Sequence, residues 1–141
     1  MTVTVDESTQ EVRPIVVAAI FRNLNFNQDR YNSFIELQDM LHNNICRRRT
    51  LVSMGTHDLD KVEGSISYEA QDPSEISFQA LKQTEVMTAE ELFEVLKTDL
   101  KLKPYLNILK DKPNYPVFYD ENRTVLSLPP IINSDATKIS P

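Results

Sequence analysis

The sequence predicts an α+β domain, a mixed or antiparallel sheet packed with two or three helices. Three observations carry this reading. Residues 64–70, 116–119 and 124–128 are runs of alternating or β-favouring residues. Thr88-Ala89-Glu90-Glu91 has the spacing of a helix capping box, and Leu92, Phe93, Val95 and Leu96 follow it. Phe34, Leu37, Leu41 and Ile45 recur at the 3,4 spacing of one helical face.

Taken in order, residues 1–12 are polar, acidic and rich in Ser and Thr, and read as a flexible N-terminal segment ahead of a domain over 13–141. From Pro14, the run Ile15-Val16-Val17-Ala18-Ala19-Ile20-Phe21 reads as a buried strand. An Asn-rich connector follows, then a helix over about 29–48. Leu51-Val52-Ser53-Met54 reads as a second, short strand that ends in a turn at Gly55. Residues 64–70 form the next strand, Asp72-Pro73-Ser74 a turn, and 76–78 a weak strand. After the capped helix, residues 98–109 hold one more, started or broken at Lys103-Pro104. Asp120-Glu121-Asn122-Arg123 then joins two strands as a hairpin.

Beyond that hairpin comes Ser127-Leu128-Pro129-Pro130-Ile131-Ile132-Asn133. Its prolines remove two N–H donors and stop the strand, and two β-branched residues then lead to the amide of Asn133. A neutral hydrogen-bonding group on stiff backbone is what a binding or catalytic site requires. Residues 133–141 are polar and the chain stops just after this motif, so a fragment truncated at its C-terminal end is expected.

At 141 residues the chain is one domain's worth, large enough to bury a core. No apolar run is long enough to cross a bilayer, and the N-terminus lacks the basic and apolar regions of a signal peptide. One cysteine, Cys46, rules out an intrachain disulfide and fits a reducing, cytosolic setting. A net charge of −6 argues against a general nucleic-acid-binding surface and against DNA as a ligand. Arg47-Arg48-Arg49 is the local exception, so an RNA ligand would touch a small region. Two glycines against eight prolines exclude a Gly-rich phosphate loop.

On a helix at about 100° per residue, Gln38, His42 and Arg49 fall roughly 40°, 80° and 60° from Phe34. They flank the apolar stripe, either lining a pocket or sitting as boundary residues with wet tips. The arginines either complement the helix C-terminus or offer Arg49 to a phosphate or ribose. His57 and Asp58 read as satisfying local backbone groups. No nucleophile motif and no metal-ligand spacing is present. Cys46, at the rim of the stripe or facing away from it, reads as inert.

The proline segment, with Gly55-Thr56-His57-Asp58-Leu59-Asp60 and Asn44-Ile45-Cys46-Arg47-Arg48-Arg49, resembles the β subunits of eukaryotic cytosolic phenylalanyl-tRNA synthetases. The likeness runs from Arg13 to Ile139 and includes Asp29-Arg30-Tyr31-Asn32-Ser33-Phe34-Ile35-Glu36-Leu37-Gln38, Lys97-Thr98-Asp99 and Pro113-Asn114-Tyr115-Pro116-Val117. It implies the editing (B3/B4) domain, which hydrolyses tyrosine wrongly joined to phenylalanine tRNA. An apolar slot rejects one extra hydroxyl only about 100-fold, whereas a site that hydrogen-bonds the hydroxyl discriminates by about 10⁴ or more.

By the resemblance, Asn133 lies nearest the scissile ester, with Gln38 and Arg49 around it. Asp39 stands where the family commonly has Glu. Ser127 faces the tyrosine hydroxyl, and Lys138 approaches the terminal adenosine. The family's domain continues with a further strand that is expected to be missing here. No cofactor is implied for this portion, since ATP and magnesium serve the full synthetase. The implied partners are the α subunit, in a cytoplasmic heterotetramer, and the 3′ end of the tRNA. The alternative is a non-catalytic structural module, which scatter of Ser127, Asn133, Gln38 and Arg49 would favour over convergence.

Overall fold

The computed structural model describes all residues, Met1–Pro141. In chain order its elements are β1 (Val3–Val5), α1 (Gln28–Asn43), β2 (Ile66–Gln71), β3 (Ser77–Phe78), β4 (Met87–Thr88), α2 (Ala89–Leu96), α3 (Lys103–Leu106), β5 (Tyr115–Tyr119), β6 (Val125–Leu128) and β7 (Ile132–Asn133), with three short 3-10 turns between them and a fourth after β7. The main sheet has the order β1-β2-β5-β6-β7, with β1 parallel to β2 and every other pair antiparallel. β3 and β4 form a second, two-stranded sheet, joined to the first by a bridge between Ala80 and Ser134. The fold is α+β, as the pattern predicts. No helix is long and apolar enough to cross a membrane.

The core lies between the sheet and α2, α3. Ala89, Leu92, Phe93 and Leu96 place the apolar stripe of α2 against Val117, Val125 and Leu128. The capping box forms in full: the Thr88 hydroxyl accepts from the Glu91 N–H and the Glu91 carboxylate accepts from the Thr88 N–H. Proline in the first turn of α3 removes an N–H that has no helical partner there anyway. On the opposite face of the sheet, Tyr68, Phe118, Ser127 and Asn133 are direct partners from strand to strand and so form one row. Tyr68 and Phe118 stack with ring centres 4.3 Å apart. That row leads from an aromatic pair to two polar side chains.

The β5–β6 hairpin turns on Asp120, which is buried. Its carboxylate accepts from the N–H groups of Glu63, Asn122 and Thr124 at 3.3, 3.0 and 2.9 Å. Arg123, left-handed at φ 61°, forks onto Glu69 at 2.8 and 2.9 Å and lies over the Tyr119 ring. Burial of Tyr119 pushes its hydroxyl pKa upward, with Arg123 opposing the shift.

Four expectations need correction. Residues 1–12 are not a loose segment: they supply β1 and a 3-10 turn at Glu7–Glu11 whose Thr9 is fully buried. Composition hid this because a short edge strand needs few apolar residues when its ladder is supplied by β2. The run 15–21 forms no strand; Ile15 and Val17 are 87% and 92% exposed. Its side chains suit a strand, but no strand within the chain lies beside it to complete a ladder. Residues 51–54 likewise make no strand. The first helix stops at Asn43, not near Arg48, and Leu37, Met40 and Ile45 are exposed.

Replacing Asp120 by Ala is expected to destabilise the chain by about 2–3 kcal/mol in denaturant unfolding, because two hairpin N–H groups and that of Glu63 lose their acceptor. The exposed Asp72, which caps a 3-10 turn through Ser74, serves as the control and is expected to lose under about 1 kcal/mol on replacement by Ala.

Candidate functional site

The site is built on the end of the sheet that the prolines define. β6 and β7 pair Leu128 with Ile132 and Ser127 with Asn133, and the Pro129–Pro130 bond between them is cis. Three backbone bonds stitch β7 and its successor into place: Leu81 N–H to the Asn133 carbonyl, Ser134 N–H to Leu126 and Asp135 N–H to Gln79. Asn133 therefore sits on backbone held from both sides. Its Nδ2 donates to the Thr56 carbonyl over 3.4 Å, and the Thr56 hydroxyl donates to Gln38 Oε1 at 2.8 Å. Asn133, Thr56 and Gln38 thus form one chain from sheet to helix, with Ser127 beside Asn133.

Gly55 allows this closeness. A Cβ at that position would lie 3.1 Å from both Asn133 Oδ1 and His57 Nε2, tighter than ordinary contact. His57 Nδ1 pairs with the Thr137 hydroxyl at 2.8 Å, and the Asp58 N–H donates to the Thr137 carbonyl at 2.9 Å. The loop is so anchored on the far side of Asn133 as well.

On α1 the apolar stripe packs only in part: Phe34 and Leu41 are half-buried, while Leu37 and Ile45 are exposed. His42 is the helix's buried residue, and Gln38 beside it is partly buried, while Leu37 is 52% exposed. The polar flank faces inward because loop 54–56 offers hydrogen-bonding groups: the Met54 N–H donates to His42 Nε2 at 2.9 Å. That bond places the neutral imidazole's proton on Nδ1, which is buried without a partner. Burial, with a smaller contribution from Arg49, lowers the His42 pKa and keeps the ring neutral.

After α1 the chain makes a left-handed turn through three successive arginines, with φ of 49°, 53° and 64° at Arg47, Arg48 and Arg49. Each costs about 1–2 kcal/mol. The turn delivers Arg49 Nη1 to the carbonyls of Pro130 and Ile131, at 3.1 and 3.0 Å. The same guanidinium lies over the Tyr105 ring, 4.1 Å from its centre. Bonds to a charged donor contribute about 1.5–3 kcal/mol each and the stacking about 1–2, enough to offset the strain. Burial lowers the Arg49 pKa, partly countered by Tyr105 and Asp39, but the group stays charged.

Of the residues singled out in the sequence, Asn133, Ser127, Gln38 and Arg49 come together at this sheet end. Asp39 is exposed on α1, about 100° around from Gln38. Lys138 pairs with Asp135 at 2.8 Å, and its carbonyl accepts from Lys61. Neither Asp39 nor Lys138 contacts Asn133 through a hydrogen bond. Asp58 serves local backbone, accepting from the Asp60 N–H. His57 does not: its partner is 80 positions away. Gly55, Thr56 and Thr137 are further residues of the site; the Gly-Thr-His segment is a sequence signal for the first two, and nothing local marks Thr137. Cys46 is buried. No group of three or more His, Cys, Asp or Glu side chains gathers as a metal ligand set.

Burial drives the His57 pKa down to about 4. A histidine depressed in the folded state stabilises the fold above its unfolded value, near 6.5, and that contribution is lost as pH falls toward 4. Stability is therefore expected to drop by on the order of 3 kcal/mol between pH 6.5 and 4. The matching experiment is NMR titration of the His57 ring alongside unfolding at each pH. The slope should flatten in His57→Gln, and a ring titrating near 6.5 would contradict the burial argument.

Comparison with known proteins adds a second line. The family profile described as "B3/4 domain" matches residues 6–141. The chain is 57% identical over 136 residues to a Drosophila melanogaster protein named phenylalanine–tRNA ligase beta subunit, and 54% identical to its Homo sapiens counterpart. An Arabidopsis thaliana relative, also 54% identical, is named the cytoplasmic beta subunit. Each match covers 96% of this chain and 23% of the relative, so the chain spans about a quarter of their length. The crystal structure of an N-terminal fragment of the phenylalanyl-tRNA synthetase beta subunit from Pyrococcus horikoshii superposes with a TM-score of 0.87 at 36% identity. It covers 99% of this chain and 39% of that one.

Proposed function

Since the chain belongs to the B3/4 domain family, as a fragment of the phenylalanine–tRNA ligase beta-subunit type, we propose that it hydrolyses the ester of tyrosine mistakenly joined to phenylalanine tRNA. The observation that carries this reading is convergence: Asn133, Ser127 and Gln38 meet at one sheet end, and Arg49 reaches the turn behind it.

In the proposed reaction a water adds to the ester carbonyl, the bond to the ribose oxygen breaks, and a proton passes to that leaving oxygen. An amide is no strong base near neutral pH, so the work of Asn133 is to orient the water or donate to the developing oxyanion. Gln38 supports it through Thr56. Ser127, one strand over and with a hydroxyl that bonds to no other group of the fold, offers that hydroxyl to the tyrosine hydroxyl, while Phe118 beside it supplies apolar surface for a ring. Asp39 and Lys138 belong to the outer approach, toward the tRNA end and its terminal adenosine. ATP and magnesium are assigned to aminoacylation elsewhere in the full synthetase. The proposed partners are the alpha subunit and the tRNA 3′ end, in the cytoplasm.

A second reading is a structural module without catalysis. It is favoured by the inward use of Gln38 Oε1 and Asn133 Nδ2, both already bonded within the fold.

Deacylation by the intact two-subunit enzyme separates the two. Asn133→Ala is expected to slow tyrosine release by about 10²–10³-fold. Ser127→Ala should narrow the preference for tyrosine over phenylalanine by roughly tenfold. Unchanged tyrosine release in Asn133→Ala would leave the structural reading standing.

A further inference from the structure

The Pro129-Pro130-Ile131 turn has an unusual hydrogen-bonding balance. Two of its three residues lack an N–H, and the one amide present, Ile131, is bonded back to the Leu128 carbonyl. The carbonyls of Pro130 and Ile131 have no backbone donor of their own. Both are answered by one atom of one side chain, Arg49 Nη1. Asn133 stands two residues beyond. Whatever holds that turn holds the amide.

We infer that Arg49 is a positioning residue, a clamp on the Pro-Pro turn that sets where Asn133 lies, and not a group that binds tRNA phosphate. This rests on the editing reading above. Three features support the assignment. Arg49 directly follows Arg47 and Arg48, both exposed, yet is itself partly buried, with a fully buried Nε. Its guanidinium face is covered on one side by Tyr105. Its Nη1 is spent on two carbonyls. A phosphate-seeking arginine keeps its planar fork free for paired oxygens. Here Arg47 and Arg48, exposed on the same turn, are the cations left for solvent or a polyanion.

The left-handed turn fits this role. Three residues in that conformation bring the chain round so that Arg49, six positions beyond the helix end, reaches the sheet. Lysine in its place keeps the charge but neither stacks as a plane on Tyr105 nor offers a guanidinium to two carbonyls. Clamp and charge are thereby separable.

The test uses the intact two-subunit enzyme with tyrosyl-tRNA. Arg49→Ala is expected to lower kcat for release about tenfold or more, since small misplacement of a catalytic group is costly, with KM within about twofold. Added to Asn133→Ala, it should lower the rate by less than about twofold more, because both changes disable one unit. Arg49→Lys should fail to restore kcat. Amide exchange at Ile131 and Ile132 should quicken in Arg49→Ala and in Tyr105→Ala, the latter leaving Arg49 itself intact. A raised KM with kcat kept, a salt dependence smaller by about one charge and rescue by lysine would overturn the clamp in favour of direct phosphate binding. Additivity with Asn133→Ala would also overturn it. If Asn133→Ala alone leaves release unchanged, the editing reading falls by itself, and exchange at Ile131 and Ile132 still decides whether Arg49 holds the turn.

Discussion

The pairing of β6 with β7 is short, two residue pairs across a turn made of two prolines, and the site depends on it. A two-pair ladder is too small to hold itself. It persists because each side of β7 is occupied: β6 on one edge, the bridge from Ala80 to Ser134 on the other, and Arg49 at the turn. The result is an amide and a hydroxyl, Asn133 and Ser127, fixed side by side at the polar end of an aromatic row. Rigid backbone with partly uncommitted polar side chains is the combination that both substrate selection and water orientation need.

Around that centre the chain uses unusual local conformations where they bring distant parts together. Gly55 lets a loop approach Asn133 more closely than a Cβ would comfortably permit. Three left-handed arginines turn the end of α1 toward the sheet. Strain of this kind is retained where tertiary contacts over-determine it. The charge distribution follows the same economy. A chain of net charge −6 keeps Arg49 inside the architecture and leaves Arg47 and Arg48 exposed. Of the three consecutive arginines, only the first two therefore face solvent.

Local rules were legible wherever an element satisfies its own groups. The capping box of α2 needs only residues three apart, and the β5–β6 turn is closed by Asp120 accepting from the N–H groups of Asn122 and Thr124, two and four positions on. Those elements form as their sequences indicate. The errors share a cause. The run 15–21 has strand-forming side chains without a partner strand inside the chain, and residues 1–12 have a partner that composition does not reveal. For α1 the apolar stripe is buried only at Phe34 and Leu41, and the deepest burial goes to His42, on the flank that meets complementary hydrogen-bonding groups on loop 54–56.

The sequence by itself determined the α+β class, the capped helix, the stop imposed by Pro129 and Pro130, and the presentation of Asn133 beyond it, since these follow from steric limits and short-range bonding. The tertiary structure alone decided that Asn133 meets Thr56, that His57 reaches across 80 positions to Thr137, and that Arg49 answers the two carbonyls of the proline turn. Those contacts join groups far apart in the chain. Their existence depends on which donors and acceptors are left unpaired once the sheet has formed, a quantity no local pattern encodes.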